Sequence, residues 1–422
     1  MLPAPPDDIA VLLHRPVAIF GGGVSGQAVL TLLEAIGATG RIYDENLAGV
    51  GNVFAADDAR AHGLVVFSPG FAPGHRWLET ARSAGCVCLG ELDFASLFWR
   101  GELLAITGTN GKTTLTEFLT HALNLAGRRA HLTGNIGYPF SRFVVEQTGK
   151  VDIAVCEVSS FQAETLDHLR PSVTFWTNFA EDHLERHPGM DAYFAAKWRL
   201  LTRTPPSGVF AGSSVRKYAG QSGLRLPPLA AIPTEAQPLD DRLAGTVFAQ
   251  YPQFENFLLA AAWWRRNGWP ESTLFAAAAS FKLGAHRLAR VAERRGVFFW
   301  NDSKATNFHA VEAAVATFTA PVLWIGGGKS KGGDLGGFIG RIAARLRHAF
   351  LIGETQGALA GFCRLHRVPF TACGNLEEAV RSAFAGAGAG DNILLSPGFA
   401  SFDMFSGYDD RGRQFESIVE KL

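Results

Sequence analysis

The residues best suited to chemistry lie between Ala105 and Thr114: Ala-Ile-Thr-Gly108-Thr109-Asn110-Gly111-Lys112-Thr113-Thr114. An apolar run, Leu103 to Ile106, reads as a buried strand, and a helical pattern resumes from Leu115 to Ala126. A glycine-rich turn between strand and helix lets backbone N–H groups curl around an anion. The helix N-terminus adds partial positive charge, and the lysine reaches the outer phosphates. Thr113 offers a hydroxyl to Mg²⁺. This is the composition of a nucleoside-triphosphate cradle, with one departure: the early glycine of the common pattern is Ile106 here. Gly-x-x-Gly-Lys-Thr also arises by chance in ordinary loops, so these residues alone leave both readings open.

Other reactive types recur at strand ends. Asp152–Cys156 is an apolar strand ending in Glu157-Val-Ser-Ser160, and a carboxylate beside a phosphate loop is where Mg²⁺ is commonly held. Val173–Thr177 repeats the arrangement and runs into Asn178-Phe-Ala-Glu181-Asp182-His183. A lone histidine is more often structural, but this one follows two acids at a strand end of an α/β sheet, where ligands gather. Lys197 falls in a helical pattern around Tyr193–Leu201, and spacing alone reads it as a solvated surface lysine. Gly21-Gly-Gly23-Val-Ser-Gly26 follows strand Val17–Phe20, and Asp44 ends the next strand. That fingerprint is either a nucleotide site, with NAD among the candidates, or a tight turn of a doubly wound sheet.

Several cores are needed to position these groups, because 422 residues exceed one core and imply two or three domains. Strands at 65–68 and 86–89 complete a first α/β domain, which hands over through Gly90-Glu-Leu92 and a helix to Trp99. Residues 203–245 read as loops and an edge strand, and Glu255-Asn256 opens an apolar helix through Trp264. Beyond Ala285, His286-Arg287 precede a hairpin rising into Val297–Trp300, which ends in Asn301-Asp302-Ser-Lys304-Ala-Thr306-Asn307. Pro321–Ile325 runs into Gly326-Gly-Gly-Lys329-Ser-Lys331-Gly-Gly-Asp334. Later strands at Ala349–Gly353, Val368–Ala372 and Asn392–Ser396 alternate with helices, one opened by a capping box of Asn375 and Glu378. The predicted class is α/β: three domains, each a mostly parallel sheet with flanking helices. Their bounds are 1–97, 98–284 and 285–422.

Hydrophobic residues make up 47% of the chain, and acids and bases balance at 39 each. No bulk field would recruit nucleic acid or an anionic membrane, so anionic ligands must be met by locally placed charge. Five of the nine lysines, 112, 197, 304, 329 and 331, fall in candidate site segments. The five cysteines (86, 88, 156, 363, 373) include no second pair to complete a zinc site with Cys86-Val-Cys88, and read as buried thiols of a reducing compartment. Asp7 and Asp8 stand where a signal peptide needs positive charge, and no apolar run approaches ~18 residues. The expectation is a cytoplasmic monomer with small-molecule substrates and no membrane span.

Taken together, the segments resemble the Mur ligases, the ATP-dependent amide-forming enzymes of peptidoglycan precursor synthesis, and within them the D-glutamate-adding branch. The resemblance rests on Gly108–Thr113, Gly134-Asn135-Ile-Gly137, Glu157-Val-Ser-Ser-Phe-Gln162, Glu181-Asp-His183, Asn301–Asn307 and Ala400-Ser401-Phe-Asp-Met-Phe405 with Arg411-Gly412 and Phe415. It implies a Rossmann-like first domain, a P-loop ATPase-like central domain and a Rossmann-like third domain. The implied reaction adds D-glutamate to UDP-N-acetylmuramoyl-L-alanine through an acyl phosphate. By the same resemblance Lys112 holds the outer phosphates, Thr113 and Glu157 hold one Mg²⁺, and His183 and carbamylated Lys197 hold a second. Asn256, Arg287, Asp302 and Lys304 contact ATP with Gly108–Thr114. Val24, Ser25, Asp44, Gly70, Asn135 and His183 bind the UDP-linked substrate. Thr306, Ser401, Tyr408 and one of Lys329 or Lys331 bind the amino acid. The chain differs from the family in having Pro252-Gln253 before the apolar helix, Asn46 beside the uracil side and a longer Gly326–Asp334 loop. The alternatives are a sister ligase for another amino acid such as L-glutamate, or an NAD-dependent dehydrogenase.

Overall fold

The computed structural model describes every residue except 1, 48, 229, 231, 235 and 236. The described residues form three sheets. The first joins β1 (Val17–Phe20), β2 (Gly40–Tyr43), β3 (Leu64–Phe67) and β4 (Val87–Gly90) in the order β2-β1-β3-β4, all parallel. The second joins β5 (Glu102–Thr107), β6 (Ala130–Gly134), β7 (Ile153–Glu157), β8 (Val173–Trp176) and β9 (Val209–Ala211) in the order β6-β7-β5-β8-β9, again all parallel. β1, β3, β7 and β8 are buried at every position. Parallel strands are covered on both faces, so they read as unbroken apolar runs, and each large apolar side chain so buried contributes about 1.5–3 kcal/mol.

The third sheet joins β10 (Ala289–Arg294), β11 (Val297–Asn301), β12 (Val322–Gly327), β13 (Leu346–Ile352), β14 (Phe370–Ala372) and β15 (Asn392–Leu395). Its order is β10-β11-β15-β12-β13-β14, and only β10 runs antiparallel, as the first arm of a hairpin. β15, last in the chain, inserts between β11 and β12. That insertion sets the segments after Asn301, Gly327 and Leu395 side by side at one end of the sheet.

The chain divides into two compact units. One is formed by Met1–Phe179, Asp191–Ala249 and Gln253–Phe281, the other by Ala180–Met190, Gln250–Pro252 and Lys282–Leu422. The first two sheets belong to one unit because a single apolar core runs through both, from Leu32 and Leu33 through Phe94 and Phe98 to Phe140, Phe143 and Cys156. Two buried carboxylates reinforce it. Asp93 accepts the backbone N–H groups of Asp167 (2.9 Å), His168 and Leu169 (both 2.8 Å), and Glu91 accepts that of Ser141 at 2.7 Å. In the other unit, Trp324 and Leu351 face one core while Leu323, Ile325 and Ile352 face another across the sheet.

Two local readings are corrected, and the reading of the cysteines as buried thiols holds for all but Cys88. Within 203–245 a helix, Ser213–Gln221, follows the edge strand β9; its low apolar content hid its period. Asn375 caps the helix Leu376–Ala385 through Glu378 N, but Glu378 reaches back to Gly374 N instead of closing a full box. All five cysteines are free, and four are buried while Cys88 is only partly so. No helix among the described residues is long and apolar enough to cross a membrane.

Candidate active site

β5 occupies the middle of its sheet, and its C-terminal end turns through Gly108–Gly111 into the helix Lys112–Leu125. Two glycines are obligatory in this turn. Gly108 has φ +147°, and a Cβ there would lie 1.9 Å from Thr177 Oγ1. Gly111 has φ +81°, and its Cβ would meet the Asn256 amide at 2.7 Å. The loop is clamped from the end of β8: Asn110 N donates to Asn178 Oδ1 at 2.9 Å, and Thr177 Oγ1 donates to Asn110 O at 2.6 Å. Asn178 O accepts from Thr109 N at 3.0 Å. Sequence reasoning passed over Thr177 and Asn178, although both sit directly after a strand that borders β5.

Lys112 Nζ donates to Gly108 O at 3.0 Å and Thr109 O at 2.8 Å. Thr113 Oγ1 donates to Glu157 Oε2 at 2.7 Å, and Asn135 Nδ2 donates to Glu157 Oε1 at 2.8 Å. Glu157 ends β7, next to β5, and is 2% exposed. Thr114 is buried within the helix. Lys197 is not a solvated lysine: it is 1% exposed, and its Nζ donates to Gly108 O at 2.9 Å and lies 3.4 Å from Thr107 Oγ1. The Tyr193 ring is 4.8 Å from the same nitrogen. Asn256, in the helix Gln253–Arg266, donates to Gln253 Oε1 at 3.0 Å and stands over Gly111.

In the first sheet the glycine turn ends β1. Gly21 has φ +93°, and a Cβ on Gly26 would strike Gly21 O at 1.8 Å, so the helix Val24–Ala35 packs directly on the turn. Asp44 Oδ2 accepts Gly22 N at 2.7 Å and Oδ1 accepts Asn46 N at 2.9 Å. Those N–H groups hold the carboxyl below its usual range, Gly22 foremost. Asp44 therefore braces the turn. Val24 and Gly70 are exposed and Ser25 is half-buried at the same end of β1 and β3.

In the C-terminal unit, Asp182 lies at the centre of a compact group. Its carboxylate accepts from Asn307 Nδ2 at 3.0 Å and pairs with Lys331 Nζ at 3.3 Å, and Lys331 is 3.4 Å from Thr306 Oγ1. Glu181, Asp182, Thr306, Lys331 and Phe399 line a small cavity. Lys329 is exposed and joins this region only through its backbone N–H, which donates to Ala400 O at 2.9 Å. His183 has φ +56°; its Nδ1 is 3.2 Å from Glu185 Oε1 and its backbone N–H bonds Asp182 Oδ1 at 2.9 Å.

At the end of β11, Asp302 accepts from Ser396 Oγ at 2.7 Å and Leu288 N at 3.0 Å. Burial pushes its carboxyl up to about 7, against these bonds and the charges of Arg287 and Arg411. Lys304 Nζ sits 3.7 Å from the Tyr408 ring centre, a cation–π arrangement. Ser401 is buried, and its carbonyl accepts from Phe405 N at 2.8 Å; the next helix starts at Tyr408 behind Gly407, so Ser401 does not cap it. Ser396, Asp182 and Arg411 were not singled out as site residues from sequence, because their partners lie far along the chain.

The fold is that of an α/β protein with a glycine-rich strand-to-helix turn carrying Lys112 in one unit and a polar pocket around Asp182 in the other. The profile of the Mur ligase middle domain matches residues 106–218, and that of the Mur ligase glutamate ligase domain matches 286–399. The chain is 35% identical to the UDP-N-acetylmuramoylalanine–D-glutamate ligase of Nitratidesulfovibrio vulgaris over 99% of its length and 97% of that protein's. It is equally identical to the ligase of that name from Gloeobacter violaceus, over 96% and 99%. The fold is shared with UDP-N-acetylmuramate-alanine ligase from Thermotoga maritima, at TM-score 0.60 and 13% identity over 97% of this chain and 100% of the other. The chain belongs to the Mur ligase family.

Proposed function

We propose that this chain joins D-glutamate to UDP-N-acetylmuramoyl-L-alanine at the expense of ATP. A carboxylate oxygen of the UDP-linked substrate attacks the γ-phosphorus and ADP leaves. The D-glutamate amine then attacks the acyl carbon, phosphate departs, and the amine loses a proton as the amide forms. The observation that carries this reading is the 35% identity, spanning nearly both full lengths, with ligases of that name.

The chemistry of the residues supports it. Phosphoryl transfer needs charge stabilisation and positioning more than a protein nucleophile. Lys112 and the loop N–H groups are assigned to the β- and γ-phosphates. Mg²⁺ keeps several waters and takes one or two carboxylates plus phosphate oxygens. Buried Glu157 with the Thr113 hydroxyl 2.7 Å away is a donor set that fits it. Such an ion, when bound, neutralises charge on the transferring oxygens. Lys197, as its carbamate, is assigned to a second ion. Val24, Ser25 and Gly70 are assigned to the uridine diphosphate, with Asp44 holding their turn, and Asn135 and His183 to the same substrate. In the C-terminal unit, Arg287, Asp302 and Lys304 form the nucleotide side. Thr306, Lys331, Ser401 and Tyr408 form the amino-acid side.

The test is phosphate release from ATP with UDP-N-acetylmuramoyl-L-alanine and a panel of amino acids. D-glutamate alone should support turnover. Turnover with L-glutamate or a diamino acid instead, or thermal stabilisation by NAD(H) and none by ATP, would refute the reading.

A further inference from the structure

Arg411 lies in the first turn of the helix Tyr408–Glu420 and is 0% exposed, the largest charged side chain so fully buried among the described residues. Its guanidinium is spent on neutral groups of two loops. Nε donates to Ser303 Oγ at 3.0 Å and Nη2 to Ser303 O at 2.8 Å, while Nη1 donates to Phe399 O at 3.2 Å. The Ser303 hydroxyl donates in turn to Tyr408 O at 2.8 Å, closing the ring of bonds back onto the helix. The neighbouring glycine is fixed by the same packing, since a Cβ on Gly412 would lie 2.4 Å from the His286 ring.

Burying a cation on carbonyls is a poor way to gain stability, because an apolar side chain of similar volume fills such a site without the desolvation cost. Burial indeed depresses the Arg411 guanidinium to about 10, with Asp403 and Asp302 only partly opposing it. What arginine alone supplies is a rigid planar fork of five donors, able to hold two backbone segments at one separation. Ser303 stands between Asp302 and Lys304, and Phe399 stands two residues before Ser401. We infer that Arg411 is a positioning residue that locks the nucleotide-side loop after β11 to the amino-acid-side loop after β15. The inference rests on the assignment of these two loops under the proposed function.

The experiment uses the full-length protein with Arg411→Lys, Arg411→Met, Ser303→Ala and the Arg411→Lys/Ser303→Ala double variant. Melting temperature is measured alongside kcat and separate KM values for D-glutamate, ATP and the UDP-linked substrate. A lysine keeps the charge but cannot reach both loops, so Arg411→Lys should raise the KM for D-glutamate about tenfold or more and the KM for ATP severalfold. The KM for the UDP-linked substrate should stay within about twofold, and the double variant should be no worse than Arg411→Lys, because the two residues act as one unit. Folded Arg411→Lys with wild-type constants throughout would overturn the inference. If neither Arg411 variant folds, Ser303→Ala decides: a raised KM for both D-glutamate and ATP supports the lock, and unchanged values overturn it. Absence of D-glutamate-dependent phosphate release by the wild type would instead defeat the proposed function.

Discussion

Replacing Lys331 with alanine should raise the KM for D-glutamate about 10- to 150-fold, while replacing Lys329 should change it less than about fivefold. Sequence spacing left these two lysines competing for one role, and the structure separates them. Lys331 Nζ lies 3.3 Å from Asp182 Oδ1 with its side chain 19% exposed, and Thr306 Oγ1 is 3.4 Å away. A charge-assisted hydrogen bond from Lys331 to a substrate carboxylate would contribute roughly 1.5–3 kcal/mol. Each 1.4 kcal/mol is about tenfold in affinity, which gives the predicted range. The fold should survive, because Asp182 keeps donors from Asn307 Nδ2 at 3.0 Å and His183 N at 2.9 Å. Lys329 extends into water, and an exposed ammonium contributes little. The assay is steady-state phosphate release with D-glutamate varied at saturating ATP and UDP-linked substrate, with melting temperatures as control. A larger effect from Lys329→Ala, or an unchanged KM in folded Lys331→Ala, would refute the assignment.

Gly108→Ala should abolish phosphate release and the stabilisation of the protein by ATP, because a Cβ would sit 1.9 Å from Thr177 Oγ1 at φ +147°; isothermal titration with an ATP analogue checks it. Lys197→Ala and Lys197→Arg should be similarly inactive if a carbamate is required, and added bicarbonate should raise the activity of the wild type only. Asp302 has a folded-state carboxyl near 7 against 3.8 in the unfolded chain. The folded state therefore holds the extra proton between about pH 4 and 7, and stability falls with rising pH across that window, by at most on the order of 4 kcal/mol, and is flat above it. Urea melts from pH 5 to 8.5 should show Asp302→Asn gaining on the wild type up to about pH 7 and then running parallel; parallel curves throughout would refute the role of burial.

What could be read from sequence was what depends on short-range pattern. Unbroken apolar runs marked β1, β3, β7 and β8, and turn residues marked the glycine-rich turn after β5 and the hairpin of β10 and β11. What could not be read depends on pairings between distant segments. The insertion of β15 between β11 and β12 brings Ser396 to Asp302, which no local signal announces. Asp93 looks like one more acid in a short helix, yet its carboxylate is consumed by three N–H groups of residues 167–169. Arg411 follows two aspartates in a polar helical turn, where surface placement is the ordinary outcome. Lys197 has the same disguise. Its helix presents Tyr193, Phe194, Ala196 and Leu200 inward, and that face carries the lysine with it to the back of the Gly108–Gly111 turn.

Lys112 and Lys197 meet at the carbonyl of Gly108. Lys112 and Lys197 donate to the same carbonyl oxygen at 3.0 and 2.9 Å, so their nitrogens are no more than about 6 Å apart. With both as ammonium ions, their repulsion at an effective dielectric of about 20 is on the order of 3 kcal/mol. Two changes remove it: an anion brought to Lys112, or conversion of the Lys197 ammonium to a carbamate. The first is what a triphosphate supplies. The second would turn a like-charge contact into an attractive one and add a hard oxygen donor. Arginine can make neither adjustment, since guanidinium keeps its charge and does not add carbon dioxide. If the carbamate of Lys197 holds a metal ion, Lys197→Arg would keep the cation and lose that oxygen donor, so the conservative substitution should fail as completely as alanine.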